Sequence, residues 1–76
     1  MKFKERRGNV FVFDGGYDSD ELELERSVEA GGVNEFFMFE DVVIWPNLEI
    51  GTVGSPYKDI QTAVNLMTIL KDEGLV

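Results

Sequence analysis

Residues 55–75, SPYKDIQTAVNLMTILKDEGL, carry the reading that decides the fold. Ser55 is a favoured helix N-cap residue, and Pro56 would sit at the first helical position, where its missing N–H costs nothing. Ile60, Ala63, Val64, Met67 and Leu70 then recur at three- and four-residue spacing, which gathers them on one face of a helix. Gly74 stands where a left-handed C′ residue closes a helix, with Leu75 placed to touch Leu70 in a Schellman ending. Lys71 suits the negative end of the helix dipole, and Asp72 and Glu73 do not. The spacing therefore predicts a helix over residues 56–73 with a single apolar face.

The chain ahead of it reads as strands. Val10–Phe13 is β-branched and aromatic, and Asp14-Gly15-Gly16 closes it with turn chemistry. Arg7-Gly8-Asn9 can turn a short strand over residues 2–6 back onto Val10–Phe13. Residues 20–29 could begin a helix at Ser19, but their periodicity is two. Leu22, Leu24 and Val28 share one parity, and Glu21, Glu23, Glu25 and Glu29 take the other, as on a half-exposed strand. Gly31-Gly32 turns the chain into a strand over Glu35–Phe39. Glu40-Asp41 interrupts it, Val42–Trp45 forms another short strand ended by Pro46-Asn47, and Leu48–Val53 is expected as an extended edge. The sum is an α+β domain spanning residues 1–76, an antiparallel meander of four to five strands with one C-terminal helix packed across one face.

Size and composition limit what such a domain can do. With 76 residues there is room for one small core, and a domain of this size buries only about 60% of its unfolded surface. The chain has no cysteine and no histidine, so disulfides and the usual zinc sites are excluded. Triads built on Cys or His are excluded as well, and Ser19, Ser27 and Ser55 have no base to activate them. The chain reads as non-enzymatic, without a cofactor. At 43% hydrophobic residues it is too apolar to stay disordered. No stretch approaches the roughly 20 apolar residues of a membrane span. The run VFVF after the basic MKFKERRGN is too short for a signal-peptide core, so cytoplasm is the expected location.

Three motifs resolve into plain structure. Asp14, Asp18 and Asp20 around Gly15-Gly16 are rich in oxygen ligands, yet the spacing of a calcium loop is missing, and these are ordinary turn residues. Gly15-Gly16, Gly31-Gly32 and Gly51-x-x-Gly54 complete no phosphate-binding pattern. Gly54 before the helix is a helix-entry turn. A metal or small-ligand site around Asp14–Asp20 stands as the third functional reading.

The charge is placed unevenly. Residues 1–7 carry a net +3, residues 8–50 a net −10 and residues 51–76 a net −1, which gives −8 overall. A body this acidic is repelled by phosphate, so direct nucleic-acid binding is not expected, and the natural partners are basic surfaces. Same-parity residues on a strand stand roughly 6.8 Å apart, so Glu21, Glu23, Glu25 and Glu29 form a row of negative charge that Glu40 and Asp41 extend. Such a row imitates a nucleic-acid backbone and would dock on a Lys/Arg groove built for one.

The apolar strands raise a second possibility. Val10–Phe13, Phe36–Phe39 and Val42–Trp45 are apolar on both faces, whereas one helix covers only one. Six large side chains are left over, and at roughly 1.5–3 kcal/mol each they represent on the order of 10 kcal/mol of unused burial. Either the sheet curls or loops cover it, or the second face is an interface anchored by Phe37, Phe39 and Trp45.

The leading expectation is a binding protein that blocks a nucleic-acid-binding surface on another protein. Glu21, Glu23, Glu25, Glu29, Glu40 and Asp41 would dock it, and Phe37, Phe39 and Trp45 would anchor it. In size and charge the chain resembles small inhibitors encoded by phages and mobile elements, anti-CRISPR and anti-restriction proteins among them. That likeness would place it in a host-cell cytoplasm. The alternative is an assembly module that homodimerises or joins a larger complex through its second apolar sheet face.

Overall fold

The computed structural model describes residues 1–15, 20–29, 31–32 and 34–76. Five strands, β1 (Lys2–Arg7), β2 (Val10–Asp14), β3 (Glu21–Val28), β4 (Glu35–Phe39) and β5 (Val42–Ile44), precede one helix, α1 (Tyr57–Asp72). The strands form one antiparallel sheet in the order β1-β2-β3-β4-β5, the meander that the short connections require. The helix lies across one face against β5, β4 and β1. No helix among the described residues is long and apolar enough to cross a membrane.

Strand register sorts the side chains onto two faces. Phe11 stands opposite Leu24, Phe13 opposite Leu22, Phe37 opposite Ile44, and Phe39 opposite Val42. These residues face α1 and form the core with Ala63, Leu66, Met67 and Leu70, with Leu22 half-buried at its margin. Phe11 links Phe3 and Phe37 in a chain of tilted rings, with centroids 6.3 and 6.1 Å apart. Such geometry suits the ring quadrupoles. The helical stripe is wider than the sequence spacing suggested, because Leu66 joins it as a fully buried member.

The helix closes in the expected motif and is one residue shorter than expected at each end. Gly74 has φ 75°, its N–H bonds the Lys71 carbonyl at 3.1 Å, and Leu75 N–H reaches the Leu70 carbonyl at 2.9 Å. That pair of bonds defines a Schellman motif. Lys71 also donates through Nζ to the Pro46 carbonyl at 2.8 Å, tying the helix end to the chain beyond β5. At the other end Pro56, with ψ 140°, is the cap, and its carbonyl receives the N–H groups of Asp59 and Ile60. Proline also biases the residue before it toward extended backbone. Ser55 is therefore a residue too early to cap, and its buried Oγ has no partner among the described residues.

The segment 48–53 differs from the expected edge strand. It makes one β-bridge, Ile44 to Ile50, because Leu48 turns the chain with φ 73°. It still covers the outer edge of β5. Trp45 N–H bonds the Glu49 carbonyl at 2.9 Å, Gly51 N–H bonds the Val43 carbonyl at 2.8 Å, and Val43 N–H bonds Thr52 Oγ1 at 2.6 Å. An otherwise open ladder edge is thereby closed.

The loop between β2 and β3 includes residues 16–19, so the middle of the oxygen-rich turn between Asp14 and Asp20, Asp18 included, and the alternative helix start at Ser19 lie outside the described residues. Its two ends are held by Gly15 N–H bonding the Asp20 carbonyl at 3.0 Å. A Cβ on Gly15 would run into that same carbonyl oxygen. Gly15→Ala is therefore expected to destabilise the fold by about 1–3 kcal/mol, read from urea unfolding. An unchanged midpoint would show that the hairpin end relaxes freely.

Candidate functional site

The face away from the helix is built by the alternate residues. One row runs straight across four strand pairs as Arg7, Val10, Glu25, Met38 and Val43. A second joins Glu5, Val12 and Glu23, and a third joins Lys2, Asp14 and Glu21. On β4 and beyond β5, Phe36 and Trp45 meet with ring centroids 5.7 Å apart. From β1 to β5 the face therefore passes from charged to apolar, to acidic, to apolar.

The apolar remainder expected from the sequence is on this face, as Val10, Val12, Phe36, Met38, Val43 and Trp45. Val12 is 0% exposed although it lies on the face away from α1. Its cross-strand neighbours are Glu5 and Glu23, whose aliphatic stems can shield it while their carboxylates stay in water. The other five are half-buried, with Gly51 of the segment 48–53 close against the Val43 and Trp45 side chains. Phe37 and Phe39, expected as anchors here, belong to the core under α1 at 0% and 6% exposure. Register puts Phe36 and Met38 on the open face in their place. Of the three expected anchors, Trp45 is the one on this face.

The expected acids fall in three places. Glu21, Glu23, Glu25 and Glu40 line one groove of about 440 Å³, with Met38 beside Glu40 on its far wall. Glu40 gets there through the β4–β5 turn, which it makes with φ 53°. Asp41 lines a different depression, at the sheet end beside Lys58 and Asp59. Glu29 lies past the end of β3, where it accepts a hydrogen bond from Asn34 Nδ2 at 3.1 Å and braces the β3–β4 loop. Among the described residues no group of three or more Asp or Glu is arranged to hold a metal ion.

A β-bulge between Phe3 and Glu5 brings cations to one end of the acidic row. It breaks the alternation of β1, so that Phe3 packs with Phe13 in the core and Arg6 lies over the Phe11 ring at 5.2 Å. Lys4 and Arg7 instead reach across β2 to the Glu21 carboxylate, at 2.8 and 3.3 Å, and Arg7 also pairs with Glu5. Elsewhere Arg26 pairs with Glu35. Among the described residues no cation pairs with Glu23, Glu25 or Glu40. The bulge depends on long-range pairing, and no local sequence signal announced it.

These pairs shift the groups involved. The hydrogen bond from Lys4, aided by the Arg7 charge, holds the Glu21 carboxyl below its ordinary 4.5, and Glu21 raises Lys4 above 10.5. The signs follow from linkage. The Glu21 contribution is complete above pH 4.5 and is lost as pH falls through its lowered folded value. The Lys4 contribution is complete below pH 10.5 and is lost as pH rises through its raised value. Glu21→Gln should therefore be slightly less stable than the parent near neutral pH, with the gap closing as pH falls below 4.5 and through the lowered folded value, in paired urea titrations. A gap that persists in acid would show that the pair is not its source.

Models of known families, curated proteins and solved structures were each compared with this chain, and none matches it.

Proposed function

We propose that this chain is a non-enzymatic binding protein that uses its acidic open face to occupy a basic, nucleic-acid-handling surface on another protein. The observation that carries the reading is the groove formed by Glu21, Glu23, Glu25 and Glu40, three of them without a cation among the described residues. Carboxylates repeating along a strand every roughly 6.8 Å present a line of charge that Lys/Arg surfaces made for phosphate would accept. Neighbouring Phe36, Met38 and Trp45 supply apolar contact beside the charge. In this reading the chain acts as small phage or mobile-element inhibitors of the anti-CRISPR or anti-restriction type do, by competing with nucleic acid.

The test is capture from a bacterial lysate on the immobilised chain at low salt and at about 0.5 M salt, followed by elution with DNA or RNA. Support requires a nucleic-acid-binding protein that is held at low salt, released by nucleic acid and missed by a Glu23→Gln/Glu25→Gln/Glu40→Gln variant. Capture that resists both salt and nucleic acid, or that the variant retains, overturns the reading.

The apolar part of the same face favours one other reading, homodimerisation. Sedimentation equilibrium decides it, and a salt-insensitive dimer lost in Phe36→Ser would support it over the first.

A further inference from the structure

We propose that the open face is a cradle for a basic amphipathic α-helix of the partner protein, lying along the strands over β3, β4 and β5. This rests on the acidic-face reading above and specifies the shape of the basic surface it takes.

Three dimensions of the face agree with that occupant. Neighbouring strands are about 4.8 Å apart, so β3 to β5 spans roughly 10 Å, close to the width of a helix with its side chains. Along β3 the glutamates repeat at roughly 6.8 Å, and residues i, i+4 and i+8 of a helix rise about 6 Å per step. Long Lys or Arg side chains absorb the small difference over three positions. Across the face, the acids of β3 border an apolar strip of Met38 and Val43, in register with Glu25, and of the Phe36–Trp45 pair. A helix with Lys/Arg at i, i+4 and i+8 carries its next stripe, i+1, i+5 and i+9, about 100° round the axis. If that stripe is apolar, it meets this strip while the cations meet the glutamates.

Charge selects a basic partner over a second copy. Of the cations on this chain's open face, Lys4 and Arg7 are already paired with Glu21 and Glu5, and Lys2 stands beside Asp14 at the outer end of the sheet. Two stacked copies would bring a net-acidic face against itself, with Lys2, among the described residues, the one open-face cation of each copy outside these pairs. A cation entering the groove would have carboxylates on both sides, Glu23 and Glu25 on one wall and Glu40 on the other. A partner that was basic but had no apolar flank would leave Phe36, Met38 and Trp45 unused.

The experiment titrates the full chain with synthetic peptides of about 18 residues, long enough to hold a helix. One has Lys and Leu in the two adjacent stripes. The other has the same composition, scrambled so that no face is amphipathic. Trp45 is the chain's one tryptophan and lies in the strip, so its emission reports contact there. The helical peptide is expected to bind about tenfold or more tighter than the scrambled one, to gain helicity by circular dichroism and to shift Trp45 emission to the blue. Met38→Ser and Glu23→Gln/Glu25→Gln should each weaken it, with the variants' own far-UV spectra unchanged.

Equal affinity for both peptides, with salt sensitivity and weakening by the glutamine variant, overturns the helix cradle and leaves the acidic-face reading standing. Tight binding of the helical peptide with no response from Trp45 or from Met38→Ser also overturns the cradle. If neither peptide binds at low salt, the cradle and the acidic face both fail.

Discussion

Phe37→Ala is expected to remove a large share of the chain's stability, enough at the lower end of its range to unfold it at room temperature. Phe37 is wholly buried, in tilted ring contact with Phe11 and paired across the sheet with Ile44 beneath α1. Truncating a buried Phe to Ala costs about 3–5 kcal/mol, through lost transfer energy and the cavity left behind. A domain of this length has a total stability of roughly 4–11 kcal/mol. With no disulfide in the chain to limit the loss, one substitution removes between about a quarter and all of it. Thermal unfolding followed by circular dichroism should show either no transition or a midpoint lowered by about 12–40 °C.

The neighbouring change separates core from surface. Phe36 is half-buried on the open face, in contact with Trp45. Phe36→Ala should cost about 1 kcal/mol, from the lost ring pair and partial burial. A larger loss for Phe36→Ala than for Phe37→Ala would mean that β4 presents its faces the other way round. The pair therefore tests the register on which every statement about the open face depends.

That register also marks where the sequence could be read and where it could not. The helix was legible because its signals are local, with apolar residues at three- and four-residue spacing and a glycine past the end. Strand β3 was legible in both existence and facing, because leucine and glutamate alternate along it. Strands β4 and β5 were legible only in existence. Phe36-Phe37-Met38-Phe39 and Val42-Val43-Ile44-Trp45 are apolar at every position, so parity carries no information and the pairing decides the face. For that reason Phe37 and Phe39 were expected on the surface and are found in the core.

The acidic row divides in the same way. Glu21, Glu23 and Glu25 follow from alternation within one strand. Glu40 joins them only because β4 pairs beside β3 and turns at that residue, and Glu29 leaves them because β3 stops at Val28. Lys4 and Arg7 reach Glu21 through a bulge in a strand two places away in the sheet. Local patterns say which residues alternate, and only the sheet says which of them meet.

The substitution Glu23→Gln/Glu25→Gln/Glu40→Gln should leave the fold intact and abolish most binding to a basic partner. Glutamine keeps the shape of each side chain, and none of the three carboxylates pairs with a cation among the described residues. Neutralising carboxylates that line one groove removes mutual repulsion, so the midpoint of urea unfolding should stay constant or rise slightly. Binding should respond in the opposite sense. An exposed ion pair contributes roughly 0.2–1 kcal/mol, so losing three weakens association by about 3- to 150-fold. The remaining affinity should depend less on salt, because fewer charges meet at the contact. Glu21→Gln makes the internal comparison. That carboxylate is already met by Lys4 and Arg7, so its loss should weaken binding less than any one of the other three while slightly destabilising the fold. A reversed order, with Glu21→Gln weakening binding most and the triple variant least, would move the contact to the β1 end of the face, where Lys4 and Arg7 would then have to give up Glu21 to the partner.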